Sequence, residues 1–261
     1  MGDFMKLYWK YFMIHLKSKM EYKTSFLLTC IGQFLVSFQV FLGIYFMFRR
    51  FSSVEGFTYE EVLLCFGITL MEFSLAESVA RGFDLFPVLV RKGEFDRIMV
   101  RPRNEILQVL GSRIEFTRIG RMLQAGVMFA YGIRASHVAW TPAKVLTVLL
   151  MLLGGTAVFC GLFLLFAAVC FFTLEGLEIF NIFTDGAREY GKYPVNIYGR
   201  RVLFVCTFVI PYALAQYYPL LFLLDRGKEW YGLLPFAALL FLLPCFAAWK
   251  CGVRHYTSCG S

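Results

Sequence analysis

Residues Gly186 to Lys192 fit the first seven positions of a phosphate-binding loop, G-x-x-x-x-G-K. Such a loop also needs a preceding strand, and a serine or threonine after the lysine, because that hydroxyl holds the magnesium ion. Here Tyr193 follows the lysine, and no strand pattern precedes the first glycine. We therefore interpret the spacing as fortuitous and predict that this chain does not hydrolyse ATP.

Other motifs that mark catalytic or metal sites do not occur in the sequence. The eight cysteines include no C-x-x-C pair and the three histidines form no H-E-x-x-H, so neither a zinc nor a redox site is predicted. A serine hydrolase would need a G-x-S-x-G turn, which is also missing. The sequence therefore predicts no catalytic residue, no metal site and no cofactor bound by this chain itself.

Several charged residues lie in the otherwise apolar second and third stretches. A charge at the centre of a bilayer costs about 2.5–3.5 kcal/mol on insertion scales, so it normally faces protein or a water cavity. We expect an acid–base cluster that joins the second and third apolar stretches, with Glu72 and Arg118 as its deepest members. For Glu77, Arg113 and Glu115, a second interpretation stays open, in which the side chains reach to the membrane interface. The expected cluster consists of Glu72, Glu77, Glu115, Arg118 and Arg121.

The composition indicates an integral membrane protein. Apolar residues make up 59% and charged residues 17% of the 261-residue chain, and the mean hydropathy is +0.63. Soluble domains have about 45–50% apolar and roughly 25% charged residues. The net charge of +8 comes from basic residues between apolar runs, which favours anionic lipid headgroups over nucleic acid as the partner.

Six apolar stretches approach the length of about 20 residues that a helix needs to cross a bilayer core of about 30 Å. The third stretch is the least secure span because its first half contains four charged residues. The fifth is interrupted by Pro211 and Pro219. We predict a single all-α transmembrane domain over residues 1–261. Its predicted spans are 24–47, 59–80, 112–133, 145–172, 202–224 and 231–249.

The distribution of lysine and arginine predicts the orientation of the chain. One set of connections comprises the two ends of the chain and the 81–113 and 173–201 loops, and it holds 18 basic residues. The opposite set holds six. Because short basic loops stay on the cytoplasmic side, both termini are predicted to be cytoplasmic.

Two segments outside the spans are predicted to form amphipathic helices. Residues 1–23 carry lysines at helical spacing among apolar residues, which is typical of a helix on the inner leaflet, although an ordinary basic flank stays possible. The cytoplasmic 81–111 loop alternates apolar and charged residues and is broken by Gly93 and Pro102. Two acids, Glu94 and Asp96, interrupt its basic run, which favours a protein groove over lipid as its partner.

The run RKGEFDRIMVRPR at 91–103, followed by Gly111 and Arg121, resembles the loop after the second span in bacterial ATP-binding-cassette exporter permeases. It is most similar to the type-two membrane subfamily with six helices and about 260 residues. The stretch 190–198, with the later Ile210-Pro211 step and Tyr218-Pro219, resembles a second family pattern. Gly199 departs from that pattern, in which proline is expected.

The resemblance implies a division of labour between subunits. Such a permease binds a separate cytoplasmic ATPase, which holds the ATP and the magnesium, and it pairs with a second permease chain, identical or homologous. The 81–111 loop would supply the coupling helix. The substrate pathway would lie between the two permeases along the second and fifth spans, where Pro211 and Pro219 lie, although both prolines fit simple packing kinks equally well. The implied docking residues are Arg91, Glu94, Phe95, Asp96 and Arg97.

The expected function is therefore the membrane-spanning subunit of an exporter in the inner or plasma membrane. The main alternative is a membrane-embedded enzyme that modifies a lipid or a glycan, and a structural or sensory membrane protein is a third class. The charged residues concentrate on the second and third spans and in the coupling loop, which favours coupling over chemistry. The direction of transport is implied by the resemblance alone, and the sequence does not indicate the substrate.

Overall fold

The computed structural model describes residues 2–136, 138–173 and 182–257, with side chains from Lys6 onward. The described chain is helical, and its only β-type pairing is a single bridge between Val54 and Phe57. Short 3-10 turns cover Phe116–Arg118, Val195–Tyr198, Glu229–Leu233 and Leu239–Phe241. The α-helices are α1 Gly2–Glu21, α2 Lys23–Arg50, α3 Tyr59–Asp84, α4 Phe86–Arg91, α5 Glu94–Met99, α6 Glu105–Ser112, α7 Ile119–Ala135, α8 Pro142–Val169, α9 Asp185–Tyr190, α10 Arg200–Phe208, α11 Tyr212–Ala215, α12 Tyr217–Leu223, α13 Leu234–Ala238 and α14 Leu242–His255.

Four helical stretches in the described part of the chain are long and apolar enough to cross a membrane: 23–50, 59–91, 142–169 and 229–255. A fifth span exists if α10 and the pair α11–α12, which meet at an angle of 83°, are counted as one broken helix. At 17 residues, α7 is about 26 Å long, somewhat short of a bilayer core. The all-helical membrane class is confirmed, whereas six full spans are not established.

The third predicted span, 112–133, differs most from the structure. Its helix begins at Ile119, and residues 113–115 are not helical. The backbone N–H of Glu115 donates to the Ser78 carbonyl (3.1 Å), and the Ser78 hydroxyl donates to the Glu115 carbonyl (3.2 Å). The backbone of this charged segment therefore forms hydrogen bonds with α3 instead of the first turns of α7.

The central element is α3, which packs against α7 on one side and α8 on the other. The helix α2 packs outside α7, where Gly120 lies so close to the Cys30 carbonyl that any Cβ would overlap it. Such close approach is a common source of helix association in lipid, because the bilayer removes the hydrophobic driving force. The long rod 229–255 packs along α8.

The two ends of α3 carry different segments. At the Asp84 end, His15 donates to the Gly111 carbonyl (2.9 Å), and Tyr256 donates to Asp96 (2.9 Å). At the Tyr59 end, Arg226 forms a salt bridge with Glu61 (2.7 Å). The described N- and C-terminal segments therefore lie at the same end of α3.

Residues 182–199 pack beside the middle of α3. The carbonyl of Gly191 accepts from the Gln216 amide (2.7 Å) and lies 3.8 Å from the Cys65 thiol, while Arg188 lies over the Phe73 ring at 5.3 Å. The sequence interpretation counted this stretch with the cytoplasmic 173–201 loop, of which residues 174–181 lie outside the described part. Its second half instead returns to the interior of the helix bundle.

Candidate functional site

The segment α4–α5 forms a tight hairpin at the Asp84 end of α3. Pro87 lies in the first turn of α4, where its missing N–H is not needed. Gly93 joins the two helices with a φ of +66°, a conformation that L side chains rarely adopt. The local sequence thus accounts for two short helices in place of one continuous helix.

The inner face of this hairpin is part of the protein core. Phe95 is fully buried, and its ring lies 5.1 Å from Phe86, 5.4 Å from Phe171 and 5.0 Å from Tyr256. Trp249 of α14 completes the cluster. The sequence analysis expected Phe95 to contact an ATPase. In the structure these rings cover Phe95, so its side chain lies in the protein interior and not on the surface.

The outer face of the hairpin carries the other expected docking residues. Arg91, Glu94 and Arg97 are exposed, and we refer to these three side chains as the α4–α5 surface. Asp96 is half-buried and accepts the hydrogen bond from Tyr256, so it joins the hairpin to the C-terminal segment. The hairpin therefore has a charged outer face on a rigid aromatic base.

The buried charge cluster is built around Glu77. Its carboxylate accepts from Arg121 (2.5 Å), Arg118 (2.9 Å) and Arg81 (3.2 Å). Arg121 also donates to the side-chain carbonyl of Gln33 in α2 (2.8 Å). Three expected members thus meet, and the cluster joins α2, α3 and α7. Gln33 was missed because nothing in the sequence indicates which faces of α2 and α7 meet. Arg81 was missed although it stands four residues after Glu77 on the same helix, a spacing that could have indicated the pair.

Glu115 lies outside this cluster and pairs with the N-terminal helix. It forms a salt bridge with Lys19 (3.4 Å) and accepts from the Thr117 hydroxyl (2.9 Å). Partial burial raises the pKa of its carboxyl, but the Thr117 hydrogen bond and the Lys19 and Arg118 charges lower it more, so the net shift is downward. Glu115 is thereby held ionised as an anchor for α1.

Glu72 also lies outside the ionic cluster, against α8. Its side chain is buried, no salt bridge involves its carboxyl, and its Oε1 has no hydrogen-bond partner among the described residues. A Cβ at Gly155 of α8 would overlap this carboxyl, so the glycine makes room for it. The carboxyl lines a narrow slot between α3, α8 and the chain from α9 to α11, together with Thr69, Gly155, Phe159, Ala187, Tyr190, Gly191, Val195, Tyr198, Val202, Cys206, Tyr212, Ala215 and Gln216.

The two prolines of the predicted fifth span accompany breaks in that helix. Pro211 stands at the 83° bend between α10 and α11. Pro219 lies in the first turn of α12, and its lack of an N–H leaves the carbonyl of Ala215, the last residue of α11, without its usual donor. Gln216 lies at that break, and its buried amide donates to Gly191 and to the Thr69 hydroxyl (2.5 Å). Neither proline lines the slot that contains Glu72, but Tyr212, Ala215 and Gln216, which lie between them in the chain, do.

Comparison with known proteins identifies the family. The family model described as ABC-2 family transporter protein matches residues 34–260, which is nearly the whole chain. The chain belongs to the ABC-2 transporter family. This match confirms the predicted resemblance to the type-two ATP-binding-cassette permeases. No match was found among the curated proteins or among the solved structures that were compared.

Membership in the ABC-2 family agrees with the long apolar helices of the structure. An ABC-2 permease is a multi-pass membrane protein and a transport subunit rather than an enzyme, and its family implies an ATP-binding-cassette partner. Within the described residues of this permease, no group of three or more histidine, cysteine, aspartate or glutamate side chains could hold a metal ion.

Proposed function

We propose that this ABC-2 permease forms half of the membrane pathway of an exporter and is driven by a separate cytoplasmic ATPase that binds ATP and Mg²⁺. The α4–α5 surface is its docking site, at the cytoplasmic side of the inner or plasma membrane. The described terminal segments lie at the same end of α3, which supports the predicted location of both termini in the cytoplasm.

The observation that carries this proposal is the attachment of the α4–α5 hairpin to the core. Phe95 is fully buried among rings from α4, from α14 and from the chain that follows α8. A displacement of the hairpin by a bound ATPase therefore moves the cytoplasmic ends of several helices together. A flexible loop with the same charges would not transmit such a movement.

The mechanism is a shift between two packings of the helices. Closure of the ATPase pair on ATP favours one position of the hairpin, and a partner shifts such an equilibrium only by its different affinity for the two states. The 83° break at Pro211 supplies a place where the pathway helix bends during the change.

A second permease chain and lipid cover the exposed apolar faces. The helix α10 buries none of its residues, and its Phe204 and Phe208 are largely exposed, as is Val209, which follows it. Only 17% of the apolar window in α2 is buried within this chain. A pathway between two permeases fits these faces, and family membership favours transport over the alternative of a lipid- or glycan-modifying enzyme.

The test is co-purification of the permease with the ATPase encoded beside it. The charge-reversed variant Glu94→Arg/Arg97→Glu changes two exposed side chains of the α4–α5 surface and is expected to lose at least about 90% of the bound ATPase. Both arms use size-exclusion elution in detergent to establish that the permease is still folded.

The matched control is Lys228→Glu/Glu229→Arg, which also exchanges a basic and an acidic side chain at two exposed positions, near the Tyr59 end of α3. It is expected to retain the ATPase. Equal retention in the two variants, with both folded, would overturn the assignment of the docking surface. Failure of the unmodified permease to bind any ATPase would overturn the proposed function itself.

A further inference from the structure

We propose that a cavity between α2, α3 and the returning segment 182–199 holds the phosphate headgroup of an anionic amphiphile, and that such amphiphiles are the substrate class of this permease. The binding site stands on the geometry and charge of the cavity, whereas its role in transport rests on the proposed function. We refer to this space as the Arg121 cavity, after the guanidinium group of α7 that lines it.

The charge of the Arg121 cavity favours an anion. Three basic side chains, Arg121, Arg188 and Lys192, line it, against one acidic side chain, Glu189, among the described residues. Glu189 is shared, because its carboxylate pairs with both Arg188 (3.1 Å) and Lys192. The lining therefore has more positive than negative charge in a place where lipid surrounds the protein, and an anionic ligand balances it.

The salt-bridge partners behind the lining leave this excess in place. The network around Glu77 holds three basic side chains but only two acidic ones, because Arg81 also pairs with Asp84. The network of the returning segment is balanced, since Asp185 adds a second acid near Arg188 (3.7 Å). The two networks together therefore carry one more positive than negative charge within the described part of the chain.

Two of the cations are held in fixed positions against the same aromatic ring. The guanidinium carbons of Arg121 and Arg188 lie 5.7 Å and 5.3 Å from the centre of the Phe73 ring. Arg121 is only 6% exposed and also donates to the side chain of Gln33. A phosphate presents oxygens in several directions and suits two guanidinium groups and an ammonium group at once, whereas a carboxylate has only two oxygens.

The size of the Arg121 cavity fits a headgroup. The centres of water molecules can occupy about 170 Å³ of it. A cavity of about 150 Å³ holds a benzene ring, and a phosphate group is no larger than that ring. Long acyl chains do not fit in this space, so the chains of a bound amphiphile lie outside it.

The rim of the cavity provides a place for these chains. Val36 and Gln39 of α2 line the cavity and are exposed, Val36 by 59%. Only 17% of the apolar window of α2 is buried within this chain, so this helix borders lipid. Acyl chains can therefore remain in the bilayer along α2 while the headgroup reaches the basic side chains.

The depth of the cavity connects binding with transport. Leu70, which lines it, lies about 16 Å along α3 from the Tyr59 end and about 21 Å from the Asp84 end. A resident lipid keeps its headgroup at the membrane surface, whereas a headgroup that crosses the membrane needs counter-charges in the interior. The lining comes from several elements, so a change in their packing alters the affinity for the headgroup, as a driven substrate requires.

The experiment measures lipid binding to the purified full-length permease in a nonionic detergent by native mass spectrometry. Three probes share the same acyl chains: phosphatidic acid is the anion, phosphatidylcholine the zwitterion and diacylglycerol the lipid without phosphate. Inorganic phosphate is the fourth probe. We expect phosphatidic acid to bind at least about tenfold more tightly than the other three. Equal binding of the three lipids would overturn the anion site, and equal binding of inorganic phosphate would overturn the assignment of an amphiphile.

Substitutions then locate the site. Arg188→Gln/Lys192→Gln is expected to weaken phosphatidic acid binding at least about tenfold. The control is Arg200→Gln/Arg201→Gln, which removes two exposed positive charges at the start of α10 and is expected to leave binding unchanged. Equal binding in the two variants, both folded by size-exclusion elution, would overturn the proposal.

A third variant distinguishes a ligand site from a structural role of the same charges. Glu189→Gln is expected to strengthen phosphatidic acid binding, because the carboxylate that occupies Arg188 and Lys192 is removed. Weaker binding in a folded Glu189→Gln variant would contradict the assignment of these two cations to the headgroup.

The outcomes separate this proposal from the proposed function. If the permease binds its ATPase but shows no preference for phosphatidic acid, only the substrate class is wrong. If it prefers phosphatidic acid and this preference depends on Arg188 and Lys192, but no ATPase binds, the site is retained and the exporter assignment is wrong.

Discussion

At the residue scale, Glu72 and Glu77 show how direction around a helix decides what a charge does. Each residue of an α-helix turns by 100°, so five residues place the two carboxyls about 140° apart around α3. Glu77 therefore faces α7 and its arginines, whereas Glu72 faces Gly155 of α8. The sequence indicates only how deep each acid lies in the membrane, and on depth alone both acids were predicted to belong to one cluster.

Glu77→Gln is expected to lower the free energy of unfolding by about 3–5 kcal/mol, because it leaves three guanidinium groups close together without their shared carboxylate. Thermal unfolding in detergent measures the loss. The control is Glu115→Gln, which breaks a salt bridge with Lys19, a partly exposed side chain, and should cost about 1 kcal/mol or less. Equal losses in the two variants would contradict the central role of Glu77.

Double-mutant cycles separate the two acids directly. Glu77→Gln combined with Arg121→Gln is expected to show a coupling energy of about 1–3 kcal/mol, because these side chains are in contact. Glu72→Gln combined with Arg118→Gln should be additive within about 0.5 kcal/mol, because Arg118 pairs with Glu77 instead. Strong coupling in the second cycle would show that Glu72 belongs to the ionic cluster after all.

At the element scale, the α4–α5 hairpin combines a surface that binds with a base that packs. The alternation of apolar and charged residues predicted an amphipathic segment, and the exposed Glu94 and Arg97 agree with it. The partners of Phe95 could not be predicted, because Phe171 and Trp249 are distant in sequence and no local pattern brings them together.

Phe95→Ala is expected to destabilise the permease by about 3–5 kcal/mol, the usual cost of removing a buried phenylalanine side chain. The loss is measured by thermal unfolding of the purified protein. Arg97→Ala, two residues away on the exposed side, should change stability by less than about 0.5 kcal/mol. A neutral Phe95→Ala with impaired ATPase binding would instead place this ring on the docking surface.

The sequence predicts those elements that depend on local properties of the chain, and it does not predict those that depend on long-range contacts. The apolar runs give α2, α3 and α8 because length and hydropathy are local properties. The start of α7 at Ile119 depends on the backbone pairing of Glu115 with Ser78, which is a long-range contact. The slot around Glu72 needs Gly155 and a returning segment from beyond residue 181, which neither periodicity nor charge predicts.

At the scale of the whole molecule, the two ends of α3 carry different segments, and the helix is long enough for these ends to face opposite sides of a membrane. The Asp84 end carries α1, the α4–α5 hairpin and Tyr256, and the Tyr59 end carries the loop around Arg226. The 26 residues of α3 span about 39 Å, enough to cross the bilayer core. The excess of basic residues at the Asp84 end then predicts which side is cytoplasmic.

Single cysteines in a cysteine-free variant test this orientation. Arg101→Cys lies after the hairpin and Lys228→Cys lies in the opposite loop, and both positions are exposed. A maleimide that does not cross membranes should label Lys228→Cys in intact cells and should label Arg101→Cys only after the cells are opened. The reverse labelling pattern would show that the chain has the opposite orientation, in which the hairpin cannot contact a cytoplasmic ATPase.

The burial of Phe95 also has a consequence for biosynthesis. Trp249 and Tyr256 follow Phe95 by more than 150 residues, and a ribosome that adds about 5–20 residues per second needs roughly 8–30 s to reach them. During that interval the nascent hairpin lacks the aromatic rings of the C-terminal segment, and its apolar face is exposed. A chain truncated before Trp249 would therefore be a natural target for chaperones and proteases.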